Sequence, residues 1–467
     1  MKNKLLLLFS FLFLIFACNT YQNLPTVNDE QGWIYEPIPA TPQAINGDVE
    51  RGFDYISSGD YVGTGIPFDA VKKQFKDYRD TLLYRKGDNA NMPYSQTVFE
   101  MENGVKVTTG TCFTCHAGRL DGELIAGLGN SKSDFTKSMG IIAFGINTMV
   151  KLKFRKRSEE RQVFQPYGHL MPKGIRQIVT PNPGVNPAFR LEEGYANFRD
   201  PVDLEYERKK QYTMPKYVLA SDVPPLWNIK KKNALYYNGM GRGDFRKQFM
   251  QASLAGVRDS TQAREILNDF RDVLTWMHSL EPPKYPKEIN ENLVERGQAI
   301  FEENCSKCHG YYGENESYPN KLIALEKVGT DPYYAYYFMR EDGLSDWYNE
   351  SWYAKSYPAS SHVPKAGYIA PPLDGIWASA PYLHNASVPT LEDLLDSKQR
   401  PKYWKRVWDS RAYDYIKMGW QYDKVSKPRG KYVYDTSLEG YGNQGHTFGD
   451  KLTNEERTVL IEYLKTL

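Results

Sequence analysis

Three stretches of the chain place apolar residues at helical spacing. Ile289, Leu293, Gly297, Ile300 and Phe301 recur at intervals that put them on one helix face, ending just before Cys305. Val459, Leu460, Tyr463, Leu464 and Leu467 form a second stripe, and Thr453 with Glu456 reads as the capping box that starts it. Gly297 carries no side chain, so another helix can approach it closely. A third stripe runs through Ile266, Leu267, Phe270, Val273, Leu274, Met277 and Leu280, with Ser260 as the expected cap. Glu281-Pro-Pro-Lys-Tyr-Pro286 ends that helix and reads as a linker. Phe68, Val71, Phe75 and Tyr78 predict a further helix within 67–83. Alternation over 94–108 around Asn103-Gly104 predicts a β-hairpin. Ile141–Val150 is apolar and reads as a buried helix, and Lys151–Arg157 after it as a solvated helix face.

The N-terminus has a different pattern. Lys2 and Lys4 precede an apolar run from Leu5 to Ala17, broken only by Ser10 and followed by Cys18. A basic start and a short apolar core make an export signal, too short to span a bilayer comfortably. Ile15-Phe16-Ala17-Cys18 resembles a bacterial lipoprotein box, so residues 1–18 are expected to be removed up to Cys18, which then carries lipid. Residues 19–45 are polar and Pro-containing and read as a flexible tether. The expected location is an exported lipoprotein facing the periplasm or cell exterior, touching the membrane through its N-terminal lipid only. Net charge is +2, and 57 basic residues balance 57 acidic ones once Lys2 and Lys4 are set aside. That balance makes no case for nucleic acid.

The chemistry lies in the cysteines. There are five, and four fall in Cys112-Phe-Thr-Cys115-His116 and Cys305-Ser-Lys-Cys308-His309. Cys-x-x-Cys-His is the attachment pattern of a c-type haem: two thiols form thioethers, and the next imidazole lies under the iron. A four-cysteine zinc site would hold its pairs about 15–20 residues apart, whereas these pairs are 193 positions apart. A redox pair gives no reason for the trailing histidine. Two covalently bound c-type haems are therefore expected, on Cys112 and Cys115 and on Cys305 and Cys308, with His116 and His309 as proximal ligands. No thiol is left over for a disulfide.

A fainter repeat ties the halves together. Pro224-Pro225-Leu226-Trp227-Asn228-Ile229 recurs as Pro371-Pro372-Leu373-Asp374-Gly375-Ile376, and Tyr237-Asn238 aligns with His384-Asn385. With the helix stripes, this predicts a first haem domain at 46–284 and a second at 285–467. The expected fold is mainly α: two class I cytochrome c-like haem domains with loop-rich insertions and a little β.

Together these motifs, the Ser279-Leu-Glu-Pro-Pro linker, Ala370–Asn385 and Gly442-Asn-Gln-Gly-His446 resemble the di-haem cytochrome c peroxidase superfamily, and within it the di-haem rubber oxygenase-like branch. The resemblance covers about 45–467. It implies one haem that relays electrons and one that meets peroxide or oxygen. It also implies a redox partner protein such as a small cytochrome or a cupredoxin. Lys398 stands where the peroxidases place a methionine ligand, so that pattern breaks. His446, which matches the oxygenase-like Gly-x-x-Gly-His pattern, is preferred as sixth ligand of the second haem over Met418. His384 is the less favoured ligand candidate, with a structural hydrogen bond near a haem propionate as the preferred reading. The first motif has no identifiable sixth ligand, which makes it the candidate reactive haem. Trp227 and Tyr237 are the candidate catalytic side chains on its distal side, with ordinary packing as the competing reading. Glu192 and Glu193 are candidate acid–base groups that nothing in the sequence separates. A pure electron carrier and an oxygenase of an apolar substrate remain the alternatives.

Overall fold

The computed structural model describes residues 27–28, 34–79, 82–430 and 432–467; the expected signal and Cys18 lie outside them. Among the described residues seven helices reach eight residues or more: α1 (Val49–Ser58), α2 (Gly140–Lys153), α3 (Glu159–Ile175), α4 (Ala188–Ala196), α5 (Ser260–Ser279), α6 (Glu291–Asn304) and α7 (Asn454–Leu464).

The helices α6 and α7 meet at Gly297, where a β-carbon would fall 2.4 Å from the Val459 carbonyl oxygen. The predicted capping box is formed: Thr453 accepts from the Glu456 N–H, and the Glu456 carboxylate accepts from the Thr453 N–H. The first half repeats this contact in a form the stripes did not predict. Helix α1 lies on α5, and a β-carbon at Gly52 would fall 2.1 Å from the Asp272 carbonyl oxygen. Helix α5 is capped by Asp259 rather than Ser260; the Asp259 carboxylate accepts from the N–H groups of Thr261 and Gln262.

The hairpin forms as predicted, with Gln96–Glu100 antiparallel to Lys106–Gly110. The helix expected over 67–83 shrinks to one α turn, Phe68–Val71, and a 3-10 turn, Lys72–Phe75. Of its apolar stripe only Val71 is buried, so little packing holds a longer helix together.

The expectation of a mainly α chain built from two class I cytochrome c-like domains is overturned. The described residues are mixed, 38% helix and 13% strand, with the strands divided among several small sheets. These strands are short, and many pair across great sequence distance. Ile34–Pro37, inside the stretch read as tether, pairs with Lys321–Ala324, which in turn pairs with Gly367–Ile369. Gly241–Gly243 pairs with Ser360–His362. Two- to four-residue strands leave almost no alternation to read, and their partners lie far away in sequence. The cores are shared as well. One buried cluster joins Ile56, Phe113 and Phe270 to Tyr334, Trp347 and Tyr368. Another joins Leu120, Leu128 and Trp227 to Phe301, Trp377 and Leu460.

The two repeat blocks face each other at this junction. The Trp227 indole N–H donates to the Asp374 carbonyl at 2.8 Å, and the Asn228 amide donates to the Pro372 carbonyl at 2.9 Å.

Candidate haem-binding sites

The second motif opens onto a cavity. Helix α6 ends at Asn304, Cys305 caps it, and Ser306–His309 is a single helical turn. Cys305, Cys308 and His309 line a cavity of about 200 Å³ with Phe301, Leu394, Leu460 and Leu464 among its apolar walls. His309 Nδ1 is 2.8 Å from the Pro371 carbonyl oxygen, a bond that fixes the ring and leaves Nε2 free. His446 lines the same cavity, and the two imidazole centres are 6.2 Å apart, with planes inclined by 65°. Metal–nitrogen bonds of about 2 Å fit one ion between rings at that separation.

His446 is held there against its own preference. It has φ +45°, in the left-handed region that costs a β-carbon-bearing residue energy. Its N–H donates to the Val328 carbonyl at 2.7 Å. Gly445, at φ +75°, presses against Gly329 so closely that a β-carbon would lie 2.1 Å from the Gly329 carbonyl carbon. The Arg400 guanidinium clamps the loop by donating to the carbonyls of Asn443, Gly445 and His446. Burial holds His446 down to about 3, the neutral form a metal needs. Lys398 is exposed, and Met418 is buried in the core outside the residues that line the cavity.

The first motif is built differently. Phe113–His116 is one helical turn reached from strand Lys106–Gly110. The Cys112 N–H donates to the Tyr61 hydroxyl at 2.8 Å. His116 is half-buried and held down to about 4 by loss of solvent, and its buried Nδ1 has no hydrogen-bond partner. Among the described residues no ring contact joins His116 to a second imidazole. A carboxyl lies near instead. Glu192 of α4 is pushed up to about 7 by burial, and its charge acts on both Cys112 and Cys115. The Tyr236 hydroxyl donates to Glu192 at 3.1 Å, and the Gln251 amide donates to Tyr236 at 3.0 Å. Glu193, the next residue, is spent on an ion cluster with Arg190 at 2.6 Å and Arg340 at 2.9 Å.

The remaining candidates lie between the motifs. Trp227 is buried where the repeat blocks meet. Tyr237 lines the cavity of the second motif and donates to Asp222 at 3.1 Å. His384 lines that cavity too, stacked on Tyr368 at 4.3 Å, with a buried Nε2 that has no hydrogen-bond partner. Sequence reasoning missed two neighbouring cations, Arg406 buried and Lys132 half-buried. Lys132 and Arg406 lie over the Trp420 ring, 4.5 and 3.9 Å from its centre, and burial lowers them to about 7 and about 9. Neither has a carboxylate at ion-pair distance among the described residues, so the pair could hold acidic groups of a cofactor. No local pattern marks residues 274 positions apart as neighbours.

The cysteines themselves suit thioethers. Burial pushes Cys112 and Cys115 up to about 11 and Cys305 up to about 12, away from the thiolates that metal clusters and redox pairs need. The four are not joined in disulfides, and no group of three or more His, Cys, Asp or Glu among the described residues could hold a metal ion.

Comparison with known proteins bears on the same region. A family described as RoxA-like, cytochrome c-like matches residues 367–405. This stretch contains Pro371, which fixes His309, and the cavity wall from Leu373 to Leu395. The chain has a cytochrome c-like region. Covalent haem c binding and a haem oxidoreductase class follow at that coarse level. Two relatives are uncharacterized proteins of Sinorhizobium fredii (strain NBRC 101917 / NGR234). The first, y4iM, is 25% identical over 297 residues, covering 54% of this chain and 66% of its own length. The second, y4iJ, is 30% identical over 255 residues, covering 40% of this chain and 41% of its own. The chain thus spans just under two thirds of one relative and about two fifths of the other.

Proposed function

We propose that this protein is an exported, lipid-anchored di-haem oxidoreductase. In this reading the haem on Cys112 and Cys115 meets peroxide or oxygen, and the haem on Cys305 and Cys308 relays electrons from a small redox protein. A bound c-type haem supplies an iron that exchanges electrons and, where a position is open, takes a small oxidant.

The observation that carries the reading is the inequality of the two sites. His309 and His446 face each other at the separation an ion held from both sides requires, and the Arg400 clamp holds the loop that carries His446. Near the thiols of the first motif stands the Glu192 carboxyl, hydrogen-bonded by Tyr236 and pushed up to about 7 by burial, and among the described residues no second imidazole contacts the His116 ring. Glu192 can hold a proton below pH about 7 and release it above, with Tyr236 as its hydrogen-bonded neighbour, which is what splitting an oxygen–oxygen bond asks of a side chain. Lys132 and Arg406 hold propionate carboxylates in this reading.

The test is spectroscopic. The haem-loaded protein is expected to show one low-spin and one high-spin haem, with only the high-spin signal responding to peroxide, oxygen or carbon monoxide. Two low-spin haems that ignore all three would leave electron transfer alone. A stable oxygen adduct would favour oxygenase over peroxidase chemistry.

A further inference from the structure

We propose that α2 is a second membrane contact, an interfacial helix that lies on anionic lipid. The helix is apolar on two opposite faces. Ala143 and Val150 are buried on the inner face, and the β-carbon that Gly168 of α3 lacks would lie 2.9 Å from the Asn147 side chain. The outer face should then be polar, as the reading of Ile141–Val150 as a buried helix did not anticipate. Instead Ile141, Phe144 and Leu152 are 86%, 67% and 84% exposed, with Gly145 and Thr148 between them on the same face. Positions 141, 144, 145, 148 and 152 recur at three and four, so they form one continuous stripe. A stripe of this kind facing water is costly unless something covers it.

Charge selects the occupant. Every charged residue from 135 to 158 is basic: Lys137, Lys151, Lys153, Arg155, Lys156 and Arg157. Lys153 donates to the Asp69 carbonyl, and the other five are exposed. Carboxylates begin again only at Glu159 and Glu160 in the first turn of α3. Apolar side chains on one face, cations grouped at the helix end and a length of 14 residues describe a helix that lies in the headgroup region. No helix of the described residues is long and apolar enough to cross a membrane. A contact at α2 would set which face points to the bilayer.

Hydrogen–deuterium exchange of the full haem-loaded chain tests this, because it reads the helix itself whatever the N-terminus does. Vesicles of phosphatidylcholine with about a third phosphatidylglycerol are compared with pure phosphatidylcholine. Exchange over 140–153 is expected to slow several-fold on the anionic vesicles, less on the neutral ones, and to recover in high salt. A triple variant, Ile141→Ser, Phe144→Ser and Leu152→Ser, is expected to lose that protection while keeping its haem absorption spectrum. Unchanged exchange over 140–153 on anionic vesicles overturns the proposal. So does protection that appears without vesicles as protein concentration rises, which would assign the face to a second copy of the chain.

Discussion

The two Cys-x-x-Cys-His motifs have the same local chemistry and opposite surroundings. At the second, each element around His309 is pinned in place: α6 delivers the turn, Pro371 fixes the ring, and a strained loop clamped by Arg400 brings up His446. At the first, the turn comes off a hairpin strand, Nδ1 of His116 has no hydrogen-bond partner, and a chain of Gln251, Tyr236 and Glu192 stands near the thiols. A site made to pass electrons gains from immobile ligands on both sides, because little then has to reorganise. A site made for chemistry needs an open position and a group that can move a proton. Both motifs carry the same Cys-x-x-Cys-His pattern, so under the proposed function the difference resides in what the rest of the chain packs around it.

The largest test removes one member of the pair. Replacing Cys305 and Cys308 by Ala should leave a protein with one haem that still binds carbon monoxide. The same change at Cys112 and Cys115 should leave one haem that does not. A haem count with carbon monoxide difference spectra reads this directly. If both single-haem proteins bind carbon monoxide equally, the inequality of the sites is lost.

Next comes His446. His446→Met should keep the second haem low-spin but raise its potential by a sizeable part of the roughly 0.8 V range that axial ligands control. His446→Ala should convert it to high-spin. A redox titration in which neither variant shifts either haem would assign the ligand elsewhere.

Glu192 sharpens the other side. Glu192→Gln should slow the reaction with peroxide about 100-fold and remove a titration with its midpoint near pH 7. Glu193→Gln should destabilise the fold instead, because it leaves Arg190 and Arg340 unpaired in a buried cluster. The sign of the pH effect on stability follows from burial. A carboxyl raised to about 7 in the folded chain favours the protonated fold. Its contribution is full below the unfolded value of about 4.3 and declines as pH rises through about 7. Thermal denaturation of Glu192→Gln should show a flatter decline over that window than the parent.

The smallest expected effects concern the scaffold. Gly52→Ala and Gly297→Ala each push a methyl group into a neighbouring carbonyl oxygen and should cost about 1–3 kcal/mol, measurable by denaturant unfolding. Gly297→Ala should also disturb the second haem's spectrum more than the first's, and Gly52→Ala the reverse.

Much of the second site was legible in sequence. A helix stripe that ends at Cys305, a glycine where two helices cross and a capping box at Thr453 are all local patterns, and each is present. The first site was legible as its five motif residues, the hairpin before them and an undecided choice between Glu192 and Glu193. Glu192 and Glu193 are adjacent and chemically alike, and a helix turns successive side chains about 100° apart; which of them meets Tyr236 and which meets Arg190 depends on what packs against α4. The mixed fold was hidden for a related reason. Strands of two to four residues carry no readable alternation, and their partners, such as Tyr35 with Ile323, lie hundreds of positions away. Helix α2 misled in the opposite sense, since an apolar run shows that a helix wants cover but not whether the protein provides it.

What the amino-acid order determined by itself is the covalent and local part: paired thiols with a trailing imidazole, helices with their caps, and a repeat that sets two blocks in register. These depend on spacings of a few residues, and bond geometry enforces them wherever the segment lies. What only the tertiary structure decided is how the two motifs differ. Setting His446 opposite His309, Glu192 near Cys112 and Arg406 beside Lys132 brings together residues tens to hundreds of positions apart. Contacts of that range are settled by burial and packing over the whole chain, which no short window of sequence contains.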